Sequence, residues 1–147
     1  MTAVREQCLS AVRTRLATIP GATVYRNRLD PIAPGAMPAV NLFDGGHNLK
    51  ATLSGHDEYE LRCDVEMYVT AANDAALGAA FSALYSQVVA AVMEDVALGG
   101  VAQQILEGDM TDPEFSLDDP SPPLMAASLR FEIEYWTEEG DPETLAP

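Results

Sequence analysis

Bases are scarce in this chain. Eight lysines and arginines stand against twenty-three acids in 147 residues, a formal net charge of −15. A surface that grips nucleic acid through its phosphates needs a basic stripe, so this balance argues against specific nucleic-acid binding. Cysteine is also sparse. Cys8 and Cys63 fall inside apolar patterns, where a free thiol behaves as a small hydrophobe and not as half of a disulfide framework. The two histidines, His47 and His56, lie in a weakly patterned stretch with no thiolate nearby, so neither a metal nor any other cofactor is expected. No phosphate-cradling glycine loop, nucleophile elbow or paired-histidine metal motif occurs, and the chain reads as a non-enzyme. No N-terminal stretch joins a basic start to an apolar run and a small-residue cleavage site, so folding in a reducing cytoplasm is expected over secretion. One uncharged run, residues 75–93, approaches the length of a membrane span. It is mostly alanine, with Gly78, Ser82, Ser86 and Gln87 inside, and supplies too little transfer energy to hold a helix in lipid; no membrane association is expected.

The remainder patterns as one domain, residues 1–147, long enough to bury a substantial core. Val4, Cys8, Val12, Leu16 and Ile19 recur at helical spacing, with Thr2 as the expected N-cap and Pro20-Gly21 as the stop. Ala22–Tyr25 reads as a short strand and Leu29–Pro38, with three prolines, as a loop. Ala39–Phe43 reads as a buried strand, Asp44-Gly45-Gly46 as a turn, and 47–58 as a hairpin tip or mobile loop. Tyr59–Thr70 and Ala127–Thr137 alternate strictly, with Leu61, Cys63, Val65, Met67 and Val69 facing inward on the first. Leu129, Phe131, Ile133 and Tyr135 do the same on the second. An antiparallel pairing would set Arg62 and Arg130 across from acids. Asn73 or Asp74 opens a second helix with an inward stripe of Leu77, Phe81, Leu84, Val88 and Val92. Its other face carries Ala79, Ala83, Ser86 and Ala90, where a solvated helix would carry charge, so that face is expected to pack on something. Residues 101–107 read as a short helix running into a strand, 109–123 as a long acidic loop, and 140–147 as a frayed tail.

Few residues invite a chemical reading. Asp64 and Glu66 are spaced as a carboxylate pair, but alternating acids on a wet strand face with Arg62 and Arg130 at hand are ordinary. Asp109, Asp112, Glu114, Asp118 and Asp119 lack the spacing and central glycine of a calcium loop, and read as a solvated segment. Tyr68 and Trp136 project from polar strand faces, where aromatics mark protein contacts. Charge is unevenly spread: residues 1–30 hold five bases against two acids, a balance of +3, whereas the rest holds three against twenty-one, a balance of −18. A head-to-tail contact could use that asymmetry, with Arg13, Arg26 and Arg28 meeting Asp112 and Glu114 of a neighbour while Ala79, Ala83 and Ala90 allow close approach.

The order helix, strand, proline-rich loop, strand, long strand, helix, final strand resembles the tail-terminator (tail-completion, minor tail protein U-like) proteins of long-tailed phages. Val24-Tyr25-Arg26, Pro38-Ala39-Val40-Asn41-Leu42, Leu98-Gly99-Gly100, and 131–137 followed by Glu139-Gly140-Asp141-Pro142 carry the likeness, which spans roughly residues 4–142. The resemblance implies an α+β domain, a mostly antiparallel sheet with two main helices packed on one face. It further implies a virion protein, assembled in the host cytoplasm, that forms a homo-hexameric ring on the head-proximal end of the tail tube. Such a ring stops polymerisation of the tube protein and presents the joining surface to the head-tail connector or stopper, while DNA passes through without specific binding. Two other expectations stand beside it: a neck or head-completion connector protein, and a small acidic binding module.

Overall fold

A computed structural model describes residues 2–116 and 122–147. Two helices and seven strands form an α+β domain around a mostly antiparallel sheet. Helix α1 spans Val4–Leu16 and helix α2 Asp74–Met93. The strands are β1 (Thr23–Arg26), β2 (Ala39–Leu53), β3 (His56–Thr70), β4 (Gln104–Met110), β5 (Glu114–Ser116), β6 (Leu124–Glu138) and β7 (Asp141–Leu145). The order across the sheet is β1-β2-β3-β6-β4, with β5 and β7 pairing other stretches of β6; only β1 and β2 are parallel.

Alternation fixes the centre of this sheet. β3 and β6 pair along fifteen residues, His56 opposite Glu138 to Thr70 opposite Leu124. Their odd-numbered side chains point to the helices: Leu61, Cys63, Val65, Met67, Leu129, Phe131 and Ile133 are all at most 1% exposed. Both helix stripes close the same core, and every stripe residue expected from spacing is buried, with Leu9 added to the first. Asn73 caps α2, its side-chain oxygen accepting from Ala76 N at 2.9 Å. For α1 the N-cap is Ala3, not Thr2; the Thr2 carbonyl instead accepts from Gln7 Nε2 at 2.9 Å.

Several expectations are corrected. Asp44-Gly45-Gly46 does not turn the chain but forms a bulge within β2, where register slips between Asp44 and His47. A Cβ on Gly45 would come within 2.9 Å of the Arg62 carbonyl oxygen, so the glycine is there for close backbone approach. Of the two expectations for 47–58 the hairpin tip holds: the stretch ends the β2–β3 hairpin, closed by Ser54 (φ 53°) and Gly55 (φ 84°), the positive φ values of a tight two-residue hairpin turn. Residues 101–107 contain no α-helix: a 3-10 turn at Leu98–Gly100 leads to β4, and the expected loop after it holds the end of β4 and all of β5 before residues 117–121, which lie outside the description. Finally, the tail is tied down as β7, and Ala146, 7% exposed, donates its backbone N–H to the Trp136 carbonyl at 3.1 Å.

Candidate functional site

The face of the sheet away from the helices is where β3 and β6 place their even-numbered residues. Here Arg130 grips Asp64 with two bonds of 2.9 and 3.1 Å, joining the strands across their register. That bond places one member of the Asp64/Glu66 pair in an ion pair, and the other, Glu66, accepts from the Tyr68 hydroxyl at 2.7 Å. Burial and the Glu66 carboxylate together push the Tyr68 phenol pKa up. Trp136 donates to Glu134 at 3.1 Å and stacks on His56 at 4.7 Å between ring centroids. Tyr68 and Trp136 thus share one face but not one site: their register positions on β3 are Tyr68 and Glu58, ten residues or roughly 33 Å apart. His47 lies on the opposite face, bonded to the Tyr135 hydroxyl at 2.7 Å and packed against Tyr59, so the two histidines do not converge. Among the described residues no three His, Cys, Asp or Glu side chains gather as a metal site. The two thiols are buried, and burial pushes both up to about 12.

The arginines of the N-terminal third are largely occupied within their own subunit. Arg26 forms a bidentate pair with Glu6, which holds that carboxyl below the usual range. Arg5 binds Asp44 at 2.7 and 2.9 Å, and Arg15 reaches Glu94 at 3.3 Å and Asp95 at 3.5 Å. Burial alone would raise Asp44, but bonds from Gly46 N–H and Arg5 outweigh it and lower its pKa. Arg28 donates to the carbonyls of Asp30 and Pro31 and lies 4.6 Å over the Tyr25 ring. Arg26 therefore staples α1 to β1, and charge reversal there would set two carboxylates against each other within the subunit. Of the expected basic patch, Arg13 alone is exposed without an ion pair among the described residues. Asp112 and Glu114 are exposed; Asp118 and Asp119 fall outside the described residues.

Helix α2 turns an uncharged face outward. Ala79, Ala83, Ser86 and Ala90 are all exposed, as are Ser82 and Gln87. By length and composition the helical stretch 74–100 could cross a membrane; within it Leu77, Phe81, Leu84, Val88 and Val92 are buried in the core, while Val96 is 45% exposed. Sequence reasoning missed a different set, large apolar side chains left in solvent, among them Leu29 at 89%, Phe115 at 66%, Leu49 at 56% and Leu53 at 53%. They sit in segments without regular periodicity, and no pattern marks such residues as exposed.

No protein-family model and no curated protein matches the chain. Among solved structures, a chain of the "Virion of native gene transfer agent (GTA) particle" is similar over 90% of this chain and 90% of its own, at 14% identity and a TM-score of 0.31. A likeness that loose transfers neither fold nor role.

Proposed function

We propose that this protein is a non-catalytic tail-terminator subunit of a long-tailed phage, a virion component assembled in the host cytoplasm. Six copies form a ring on the head-proximal end of the tail tube, stop addition of tube protein and offer the joining surface to the connector or stopper. The observation that carries the reading is the outward face of α2. In a chain with 21% charged residues, a twenty-residue helix presents no charge to solvent after Asp74. Small side chains there allow two backbones to approach closely, and a solvated helix has no need of such a face. The resemblance carried by the sequence order supports the same reading.

Six copies at −15 each carry −90 formal charges. A bore walled by such subunits repels DNA and lets it slide without specific contact. A neck or head-completion connector would use the same kinds of surface and differs only in the layer it occupies. An acidic binding module would instead stay monomeric and melt higher with its ligand. Native mass spectrometry separates a ring from a monomeric binding module: six copies of 15.7 kDa give about 94 kDa. A monomeric mass under all assembly conditions, with a ligand-dependent melting shift, would overturn the ring.

A further inference from the structure

The outer sheet face ends in an apolar groove of about 500 Å3 at the end of the sheet remote from the β2–β3 hairpin turn. The proline-rich loop forms its wall with Leu29, Ile32 and Met37; Phe43, Tyr68 and Leu124 form the floor. The wall is built in advance. Asn41, 1% exposed, accepts from Arg28 N–H at 3.2 Å and donates to the Arg28 carbonyl at 2.9 Å, anchoring the loop where it leaves β1. The groove and its rim are acidic: Glu66 and Asp30 line it, and Glu114, paired with Ala126 on the adjoining strand, flanks it. The single base in the lining, Arg28, already donates to carbonyls of its own loop. A groove with apolar walls, whose carboxylates have no cation partner among the described residues, fits an apolar segment that carries a base.

Such a segment lies at the opposite end of the same sheet. Leu53, opposite His56, is 53% exposed on the outer face, and Lys50 is 55% exposed and reaches the outer-face Glu60 at 3.6 Å, whereas Leu49, opposite Tyr59, lies on the helix face. The two-residue turn at Ser54-Gly55 fixes this tip, so little order is lost when it docks. Groove and tip are separated by about twelve residues of β3, roughly 40 Å, too far to meet within one subunit. Two different, complementary surfaces at opposite ends of a subunit are what a head-to-tail contact requires.

We propose that the outer face of the hairpin tip of one copy, through Lys50 and Leu53, docks into the proline-loop groove of the next copy, with Lys50 meeting Glu66 and Glu114. This contact rests on the ring reading above and gives it a specific interface. The test mixes two full-length variants, Leu53→Cys and Leu29→Cys, under assembling conditions and treats them with a short bismaleimide; Cys8 and Cys63 are buried and do not compete. The mixture should yield a dimer joining position 53 of one copy to position 29 of another, and neither variant alone should yield it. Lys50→Glu should lower that yield, and adding Glu114→Lys should restore part of it. Leu53→Asp should lose assembly with the monomer's melting temperature unchanged, since the side chain is exposed. Rings that form without the 53–29 cross-link would overturn the contact and leave the ring standing. Protein that stays at monomer mass throughout would overturn both.

Discussion

Phe131→Ala should be among the most destabilising single substitutions in this domain. Its ring is fully buried at the middle of β6, opposite Cys63 on β3 and Glu107 on β4, under both helices. Truncation removes the buried ring and leaves a cavity in a wall made of strand backbones that cannot close over it, a loss of about 3–5 kcal/mol. Against a total stability of roughly 5–15 kcal/mol, that is a large share. At this chain length each kcal/mol moves the melting temperature by about 2–4 °C, so the drop should be roughly 6–20 °C. The comparison is Asp64→Asn, one residue beyond the register partner Cys63. It weakens the pair with Arg130, whose side chains are 25% and 43% exposed, and should cost under about 1 kcal/mol. Thermal unfolding followed by circular dichroism at dilute, monomeric concentration isolates the fold from assembly. A larger loss in Asp64→Asn than in Phe131→Ala would mean that the inward and outward faces of these strands are interchanged.

Gly45→Ala should destabilise by about 1–3 kcal/mol, because its methyl would meet the Arg62 carbonyl oxygen at 2.9 Å, a backbone atom that cannot swing aside; unchanged denaturant midpoints would count against the β2 bulge. Glu6 and Asp44 both have folded pKa values below their unfolded ones, so the stability they add is present above the ordinary carboxylate range and is lost as pH falls through the folded values. Melting temperature should therefore fall with acid below about pH 4, and less steeply in Glu6→Gln; an identical slope in that variant would refute the Arg26 staple. With both thiols pushed up to about 12 by burial, a thiol reagent at pH 8 should label folded protein far more slowly than protein in denaturant; equal rates would contradict the core placement of Cys8 and Cys63.

Much of this fold was legible because its centre obeys simple periods. The two helix stripes follow 3.6-residue spacing, and β3 and β6 alternate over most of their length because one face meets helices and the other meets water. Where a strand has no such contrast, the signal fails. The second half of β2 has both faces largely exposed and two register slips, so its residues look like a loop. β4, β5 and β7 are edge pieces held by backbone bonds to β6, and their acids and exposed side chains mimic coil. The candidate contact residues divide in the same way. The exposed alanines of α2 could be read from spacing, whereas the pairing of Arg26 with Glu6 joins residues twenty apart on different elements and leaves no local trace. The groove under the proline-rich loop is likewise a product of how the loop folds back on the sheet.

The claim that most needs testing is that this subunit caps a growing tube. Tube protein polymerised with and without the tagged, full-length chain, then imaged by electron microscopy with gold against the tag, tests it directly. The account predicts shorter tubes in its presence, each with a ring and label at one end only. Label scattered along the tube wall or absent from tube ends, with the length distribution unchanged, would contradict it.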